Sequence, residues 1–289
     1  MKNCLYYKIG GTSEFLEHPF FKLCVHMFFL KTASITMGVD MDYKDVGIVI
    51  LAAGKGTRMR SNIAKVLHKV AGTSMIVHVI ECAKKITADN IYVVIGHQAQ
   101  LVKEEVNRYF KVDFAFQKQL LGTGDAVKAA IPGLKSGIKD ILVLCGDVPL
   151  IQENTLRKLV NEHKKKQVKI TVLATDIEEP GSYGRIVLDE YNHLLYIKED
   201  ADATEIEKKI KKVNTGIYCF DKELLISAID KIKPDNIQAE YYLTDVIGIA
   251  KKQNESIQVL TMDDPREVMG VNTLEDLGKV ECLIQLLGK

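Results

Sequence analysis

Residues 47–59 read GIVILAAGKGTRM. Gly47 to Leu51 is a short apolar, β-branched run, which predicts a buried strand. It leads directly into Ala52-Ala53-Gly54-Lys55-Gly56-Thr57-Arg58. A small-residue turn carrying Lys and Arg at the carboxyl end of a first strand suits a polyphosphate. Glycines let backbone N–H groups approach phosphate oxygens, and the cations offset their charge. Two commoner glycine loops are excluded by spacing. A P-loop needs GxxxxGK followed by Ser or Thr, whereas one residue separates Gly54 from Gly56. A dinucleotide fingerprint needs a third Gly where Met59 stands. The loop is a nucleotide loop of a third kind.

Moving outward, strands and helices alternate from Asp42 onward. Strands are expected over 46–51, 91–95, 113–116, 141–144, 169–175 and 213–220, and helices over 75–86, 98–109, 124–131 and 153–166. Alternating βαβ units predict an α/β fold with a mostly parallel sheet, helices on both faces, and ligands outside the carboxyl ends of the strands. Past residue 176 the rhythm changes. Runs at 185–188 and 194–197 predict a hairpin, and with the charged segment 199–212 they predict a second, smaller lobe over the sheet. Thr273-Leu274-Glu275-Asp276 has capping-box spacing before a final helix over 273–289. Residues 1–42 lack a clear period and fit a secretory signal poorly, so they are read as an extension. The expected organisation is that extension followed by one catalytic domain over 43–289, with its core at 46–272.

At 289 residues with 39 basic and 38 acidic side chains, the protein has no net field that points to nucleic acid or an anionic membrane. No apolar run approaches the ~20 residues of a membrane span. Six scattered cysteines show no zinc spacing and predict reduced, buried thiols in a cytoplasmic protein. The seven histidines show no metal spacing, and no Ser/His/Asp set suggests a covalent nucleophile.

Several short polar motifs fall at the expected strand ends. Arg58 and Lys65 follow the glycine turn. Asp147 ends an apolar strand in LCGDVP, between Gly146 and Pro149, and one carboxylate joined by substrate phosphates suits Mg²⁺. Gly122-Thr123-Gly124 after Gln117 offers backbone donors to the edge of a base, or simply a helix cap by Thr123. Asn214-Thr215-Gly216 inside a strand predicts a bulge or a ligand approach. Residues 240–245 could simply start a helix, and Asn272 could simply cap the last one.

In order, LAAGKGTRM (51–59), KVLHKVAG (65–72), GTGDA (122–126), CGDVPL (145–150), SYGRIV (182–187), VNTGIY (213–218), EYYLTD (240–245) and GVN (270–272) resemble the uridylyltransferase half of bacterial bifunctional N-acetylglucosamine-1-phosphate enzymes. The resemblance implies a Rossmann-like nucleotide-sugar transferase domain that joins UTP to N-acetylglucosamine 1-phosphate, giving UDP-N-acetylglucosamine and pyrophosphate for cell-wall synthesis. It implies that Leu51, Ala52, Ala53, Gly54, Gln117, Gly122 and Thr123 hold the nucleotide, and that Arg58 and Lys65 act on its phosphates. Asp147 and Asn272 would hold Mg²⁺. Gly184, Glu199, Asn214, Tyr242 and Thr244 would hold the amino sugar. Ala64 stands where the family has Pro, which predicts a looser phosphate loop, and Leu120 stands where it has a second Gln. Hexapeptide repeats are not found, so acetyltransfer and trimerisation are not expected. Another sugar 1-phosphate, or a non-catalytic sugar-nucleotide sensor, are the competing readings.

Overall fold

The computed structural model describes residues 43–286; the extension expected over 1–42, and the end of the last helix, lie outside the described residues. The first strand is β1 (Val46–Ala52), and its five leading residues are all buried. That is the pattern of a central strand covered on both faces. It pairs in parallel with β4 (Ile91–Ile95) on one side and β6 (Asp140–Cys145) on the other, and β4 pairs in parallel with β5 (Asp113–Phe116). Beyond β6 the sheet reverses once. β10 (Lys212–Asp221) runs antiparallel to both β6 and β7 (Ile170–Asp176), and β11 (Ile257–Thr261) is parallel to β7. The strand order is β11-β7-β10-β6-β1-β4-β5. Along these seven strands only β10 is reversed, and the mostly parallel sheet matches the expected class.

Alternation along the strands feeds two layers of helices. Val49, Val94 and Val143 join one core with α3 (Thr123–Ala130), α5 (Lys222–Ile229) and α6 (Asp245–Lys252), through Val127, Leu225 and Val246. Ile48, Ile50, Leu142 and Leu144 alternate with the first set and are equally buried. On their side α1 (Met75–Lys84) meets β1, while α4 (Glu153–Lys166) meets β7 and β10. The remaining early helix, α2 (Ala99–Asn107), packs on β4. The four helices expected between the strands are therefore present, with ends shifted by one or two residues.

The second lobe differs from expectation in its attachment. β8 (Gly184–Leu188) and β9 (Leu194–Lys198) form the hairpin, but β8 also pairs with β10 at Val213↔Arg185 and Asn214↔Gly184. The smaller lobe grows out of the main sheet instead of lying over it. The bulge expected at Asn214-Thr215-Gly216 is present. The β10–β7 register shifts between Asn214 and Tyr218, and Gly216 has φ 76°. A Cβ on Gly216 would stand 2.9 Å from Cys145 Sγ, so only glycine lets the bulge close against β6. β11, α5 and a small hairpin of β2 (Lys69–Val70) and β3 (Thr73–Ser74) were not among the expected elements, while α6 starts at Asp245, the end of the stretch read as a possible helix start.

The last helix, α7 (Leu274–Leu286), starts on a reciprocal cap. Asp276 N–H donates to Thr273 Oγ1 at 3.1 Å, and Thr273 N–H donates to Asp276 Oδ2 at 2.9 Å. Val280 and Ile284 then pack on Met59, Val70 and Met75, fixing the helix against the loop after β1. Among the described residues, no helix is long and apolar enough to cross a membrane.

Candidate active site

The carboxyl ends of β1, β5 and β6 open into a cavity of about 520 Å³. Leu51, Ala52, Ala53, Gly54, Lys65, Gln117, Gly122 and Thr123 all line it, so every residue expected to hold the nucleotide meets in one place. The glycine turn is closed by backbone chemistry. Gly56, at φ 63°, starts a single 3₁₀ turn over Thr57–Met59. A Cβ at Gly56 would come within 2.5 Å of Lys65 Cβ, so the loop stacks directly on the lysine stem. Gly54 faces the cavity with no protein atom within 4 Å of where its Cβ would be.

The other side of the cavity is built from the 117–124 loop stitched to residues 240–243. Tyr241 N–H donates to Leu121 C=O at 2.7 Å, and Gly124 N–H donates to Tyr241 C=O at 2.7 Å. Thr123 is not a helix cap. Gly122 precedes α3 at φ 110°, and Thr123 Oγ1 instead accepts from Leu243 N–H at 3.0 Å. Gln117 is buried, and its amide donates to Gly122 C=O at 3.1 Å and to Asp125 Oδ2 at 2.8 Å. Leu120 also lines the cavity, placing apolar surface at the position expected to carry a second Gln. A Cβ on Gly122 would meet Tyr241 C=O at 2.7 Å and Glu240 Cβ at 2.9 Å. Gly122→Ala is therefore expected to destabilise the fold by about 2–4 kcal/mol, combining backbone strain with a steric clash. A denaturant titration checks this, and an unchanged midpoint would refute the close approach.

Four charged and amide groups stand between this cavity and a second one. Lys65 Nζ donates to Asp147 Oδ2 and, at 3.0 Å, to Asn272 Oδ1. Arg58 donates to Asn272 Oδ1 at 3.0 Å and to Ser182 Oγ at 3.2 Å. Asn272 is thus turned to the site and leaves helix capping to Thr273. Its backbone is held in place because Val271 N–H donates to the Asp147 backbone carbonyl at 3.0 Å. Asp147 and Asn272 present two hard oxygen donors to one cation, the Lys65 ammonium. Such a pair suits Mg²⁺, which completes its shell with phosphate oxygens and water. Among the described residues no cluster of three His, Cys, Asp or Glu side chains offers another metal site.

The second cavity, about 230 Å³, is lined by Gly184, Glu199, Asn214, Thr244, Arg58 and Asn272, whereas Lys65 and Asp147 line the larger one. Thr244 Oγ1 donates to Glu199 Oε1 at 2.9 Å. A Cβ at Gly184 would meet Glu199 Oε2 at 3.3 Å, so glycine keeps the carboxylate accessible. Burial, then repulsion from Asp245, Asp202 and Glu240, holds the Glu199 carboxyl above the usual range, while the Thr244 hydrogen bond works against them. Asn214 Nδ2 donates to Tyr218 OH at 2.6 Å, which fixes that amide at the bulge. Tyr242 lines neither cavity; its ring is buried and its hydroxyl donates to Gln238 Oε1 at 2.8 Å.

Sequence reasoning did not single out Ser182, Tyr183, Cys145 or Glu240. Ser182 and Tyr183 lie in the SYGRIV motif, and the Tyr183 hydroxyl accepts from Gly270 N–H at 3.0 Å, tying that motif to the Asn272 segment. Cys145 lines both cavities. Desolvation pushes its thiol up to about 12, so it stays protonated and is no nucleophile. The expectation of uniformly buried thiols is corrected here, since Cys145 is half-buried and Cys282 is exposed.

Comparison with known proteins agrees with this geometry. A nucleotidyl transferase family model matches residues 48–287. The bifunctional protein GlmU of Geotalea uraniireducens is 43% identical over 241 residues, covering 83% of this chain and 53% of that protein. The bifunctional protein GlmU of Alkaliphilus oremlandii is 46% identical over 237 residues, covering 82% of this chain and 51% of that protein. The chain spans about half the length of these curated relatives. In fold it is similar to a putative glucose-1-phosphate thymidylyltransferase from Bacillus anthracis, with a TM-score of 0.65 at 21% identity over 82% of this chain and 94% of that one. By its sequence over nearly all of the described residues, and by the mixed sheet with its cavity at the strand ends, this chain belongs to the nucleotidyl transferase family.

Proposed function

We propose that the protein transfers UMP from UTP to N-acetylglucosamine 1-phosphate, giving UDP-N-acetylglucosamine and pyrophosphate. The observation that carries this reading is the convergence of Arg58, Lys65, Asp147 and Asn272 where a nucleotide-sized cavity meets a smaller polar one. A phosphate oxygen of the sugar phosphate attacks the α-phosphorus of UTP in line. The bond from that phosphorus to the bridging oxygen breaks, and pyrophosphate leaves with the electron pair. The nucleophile is supplied by the substrate, and the Cys145 thiol stays protonated beside it. Two anions must be brought together, so positioning and charge neutralisation carry the rate.

The glycine turn and the 117–124 loop hold the nucleotide, with the Gln117 amide and the backbone at Gly122 and Thr123 beside the base. Lys65 in the larger cavity, and Arg58 in the smaller one beside it, offset charge on the phosphates and on the departing pyrophosphate. Asp147 and Asn272 would hold one Mg²⁺, which supplies charge neutralisation at the reacting phosphates when bound. Glu199, Asn214 and Thr244 orient the amino sugar through hydroxyl and amide groups, with Gly184 leaving room for it.

Glu199 gives this reading a pH signature. Its ionised carboxylate is the form that accepts from sugar hydroxyls. With its pKa raised, affinity for the sugar phosphate is expected to fall on acidification at a higher pH than an ordinary glutamate would dictate. Stability runs the other way. The folded state binds the proton more tightly than the unfolded state, so stability drops as pH rises through the raised value. Glu199→Gln is therefore expected to melt higher than the parent at neutral pH, with the gain vanishing below the ordinary glutamate range, while binding the sugar phosphate more weakly. Thermal melts and titrations across pH check both signs, and a variant with unaltered affinity would remove Glu199 from the sugar site.

Pyrophosphate release tests the function directly, using UTP, CTP, dTTP and ATP, each with N-acetylglucosamine 1-phosphate or glucose 1-phosphate. UTP with the N-acetyl sugar is expected to be the fastest pair. A faster rate with glucose 1-phosphate would reassign the sugar, and silence with every pair would favour a sensor.

A further inference from the structure

Gln98 follows β4 and precedes α2 with φ 49° and ψ 38°. A non-glycine residue holds this left-handed backbone where its surroundings fix it there. Its side chain makes no helix cap. The amide reaches instead to the segment between the phosphate loop and Lys65. Gln98 Oε1 accepts from Ala64 N–H at 2.7 Å, and Gln98 Nε2 donates to Asn62 C=O at 2.7 Å. The preceding backbone grips the other end of the loop. His97 N–H donates to Ala53 C=O at 2.9 Å, and a Cβ on Gly96 would stand 2.9 Å from Ala53 Cβ. Ala64 is fully buried and leads straight into the turn Lys65–Leu67, so the backbone direction at Ala64 sets where Lys65 points.

We propose that Gln98 is a positioning residue for nucleotidyl transfer: its amide clamps residues 62–64 so that the Lys65 ammonium is presented to the triphosphate. The proposal rests on the reading of the larger cavity as a nucleoside triphosphate site. It replaces the expectation that Ala64 loosens the loop, because the N–H that a proline would lack is the one anchored by Gln98.

The test uses the whole 289-residue chain in four forms: parent, Gln98→Gly, Ala64→Pro and the double variant. Glycine suits φ 49°, so Gln98→Gly removes the amide without adding strain. Ala64 has φ −54° and ψ 137°, which a proline ring can adopt, so proline supplies stiffness in place of the clamp. Steady-state pyrophosphate release is read beside calorimetric titration of inorganic pyrophosphate, which needs no turnover. Gln98→Gly is expected to lower kcat/KM for UTP and the affinity for pyrophosphate about tenfold each, the scale of two lost hydrogen bonds and a misplaced lysine. KM for the sugar phosphate should barely move, and the melting temperature should fall by no more than a few degrees. The double variant is expected to recover to within about threefold of the parent, a coupling that independent sites do not show. Parent-like values in Gln98→Gly, or a double variant no better than Gln98→Gly, would overturn the clamp. If the parent releases no pyrophosphate with any substrate pair, the functional reading falls, and the pyrophosphate titrations still decide whether Gln98 holds the anion site.

Discussion

Asp147→Ala is expected to lower turnover about 10³-fold or more, the scale for loss of a group that organises charge at the reacting centre. Asp147 and Asn272 both accept from the Lys65 ammonium, and Asp147 is the charged member of that pair. Without it, Asn272 alone would have to hold Mg²⁺, and an amide oxygen binds a hard cation poorly without a carboxylate beside it. The fold should survive. The bond that brings residues 270–272 to this strand end uses the Asp147 backbone carbonyl, and Lys65 keeps Asn272 as a partner. The pair is also partly solvated, with 18% and 17% of the two side chains exposed, so its loss should change stability by no more than about 1 kcal/mol. Asp147→Asn keeps the shape and removes the charge, and it should be nearly as inactive. Single-turnover pyrophosphate release at saturating Mg²⁺, read beside a thermal melt, checks both parts. A folded Asp147→Ala variant with a near-parental rate would overturn the metal assignment.

Lys65→Met should lower kcat/KM for UTP by about 10²–10³-fold, the range for removing one preorganised charge from a developing anion. Methionine keeps an unbranched stem against Gly56, so the loop should retain its path. The loss should appear in the reverse direction too, because the forward and reverse reactions share one transition state. A rise in KM for the sugar phosphate alone would place Lys65 on the wrong substrate. Arginine is not expected to rescue more than a small part of the rate. Its planar guanidinium needs width, and the lysine stem is confined by the glycine loop, where even a Cβ on Gly56 would collide with it.

Much of this molecule is legible in the sequence because its signals are local. The apolar β1 run, the glycine turn and the βαβ rhythm each depend on neighbours a few residues apart. The capping box at Thr273 is equally local, and both of its hydrogen bonds are present. Elements that depend on distant partners were harder to read. β11 is half-buried at the sheet edge and lacks a clean alternation, while β2 and β3 are two residues each and gain definition from the α7 helix packed on that hairpin. The role of Thr123 was ambiguous for the same reason. Whether its hydroxyl caps a helix or accepts from Leu243 depends on a segment 120 residues away.

The sequence by itself determined the class of fold and the loop after β1, since these follow from periodicity and spacing; which residues would serve a nucleotide, a cation and a sugar was implied by the resemblance alone. Only the tertiary structure decided which of them meet. The Asn272 side chain faces Lys65 because Val271 is tied to the Asp147 backbone, while the Asn272 and Thr273 N–H groups both donate to Asp276 Oδ2. Tyr242 turned away to Gln238, and Ala64 became an anchored position through Gln98. The physical reason is common to all of these. A polar side group has several possible partners along the sequence, and burial with specific geometry selects one of them only after distant segments have packed.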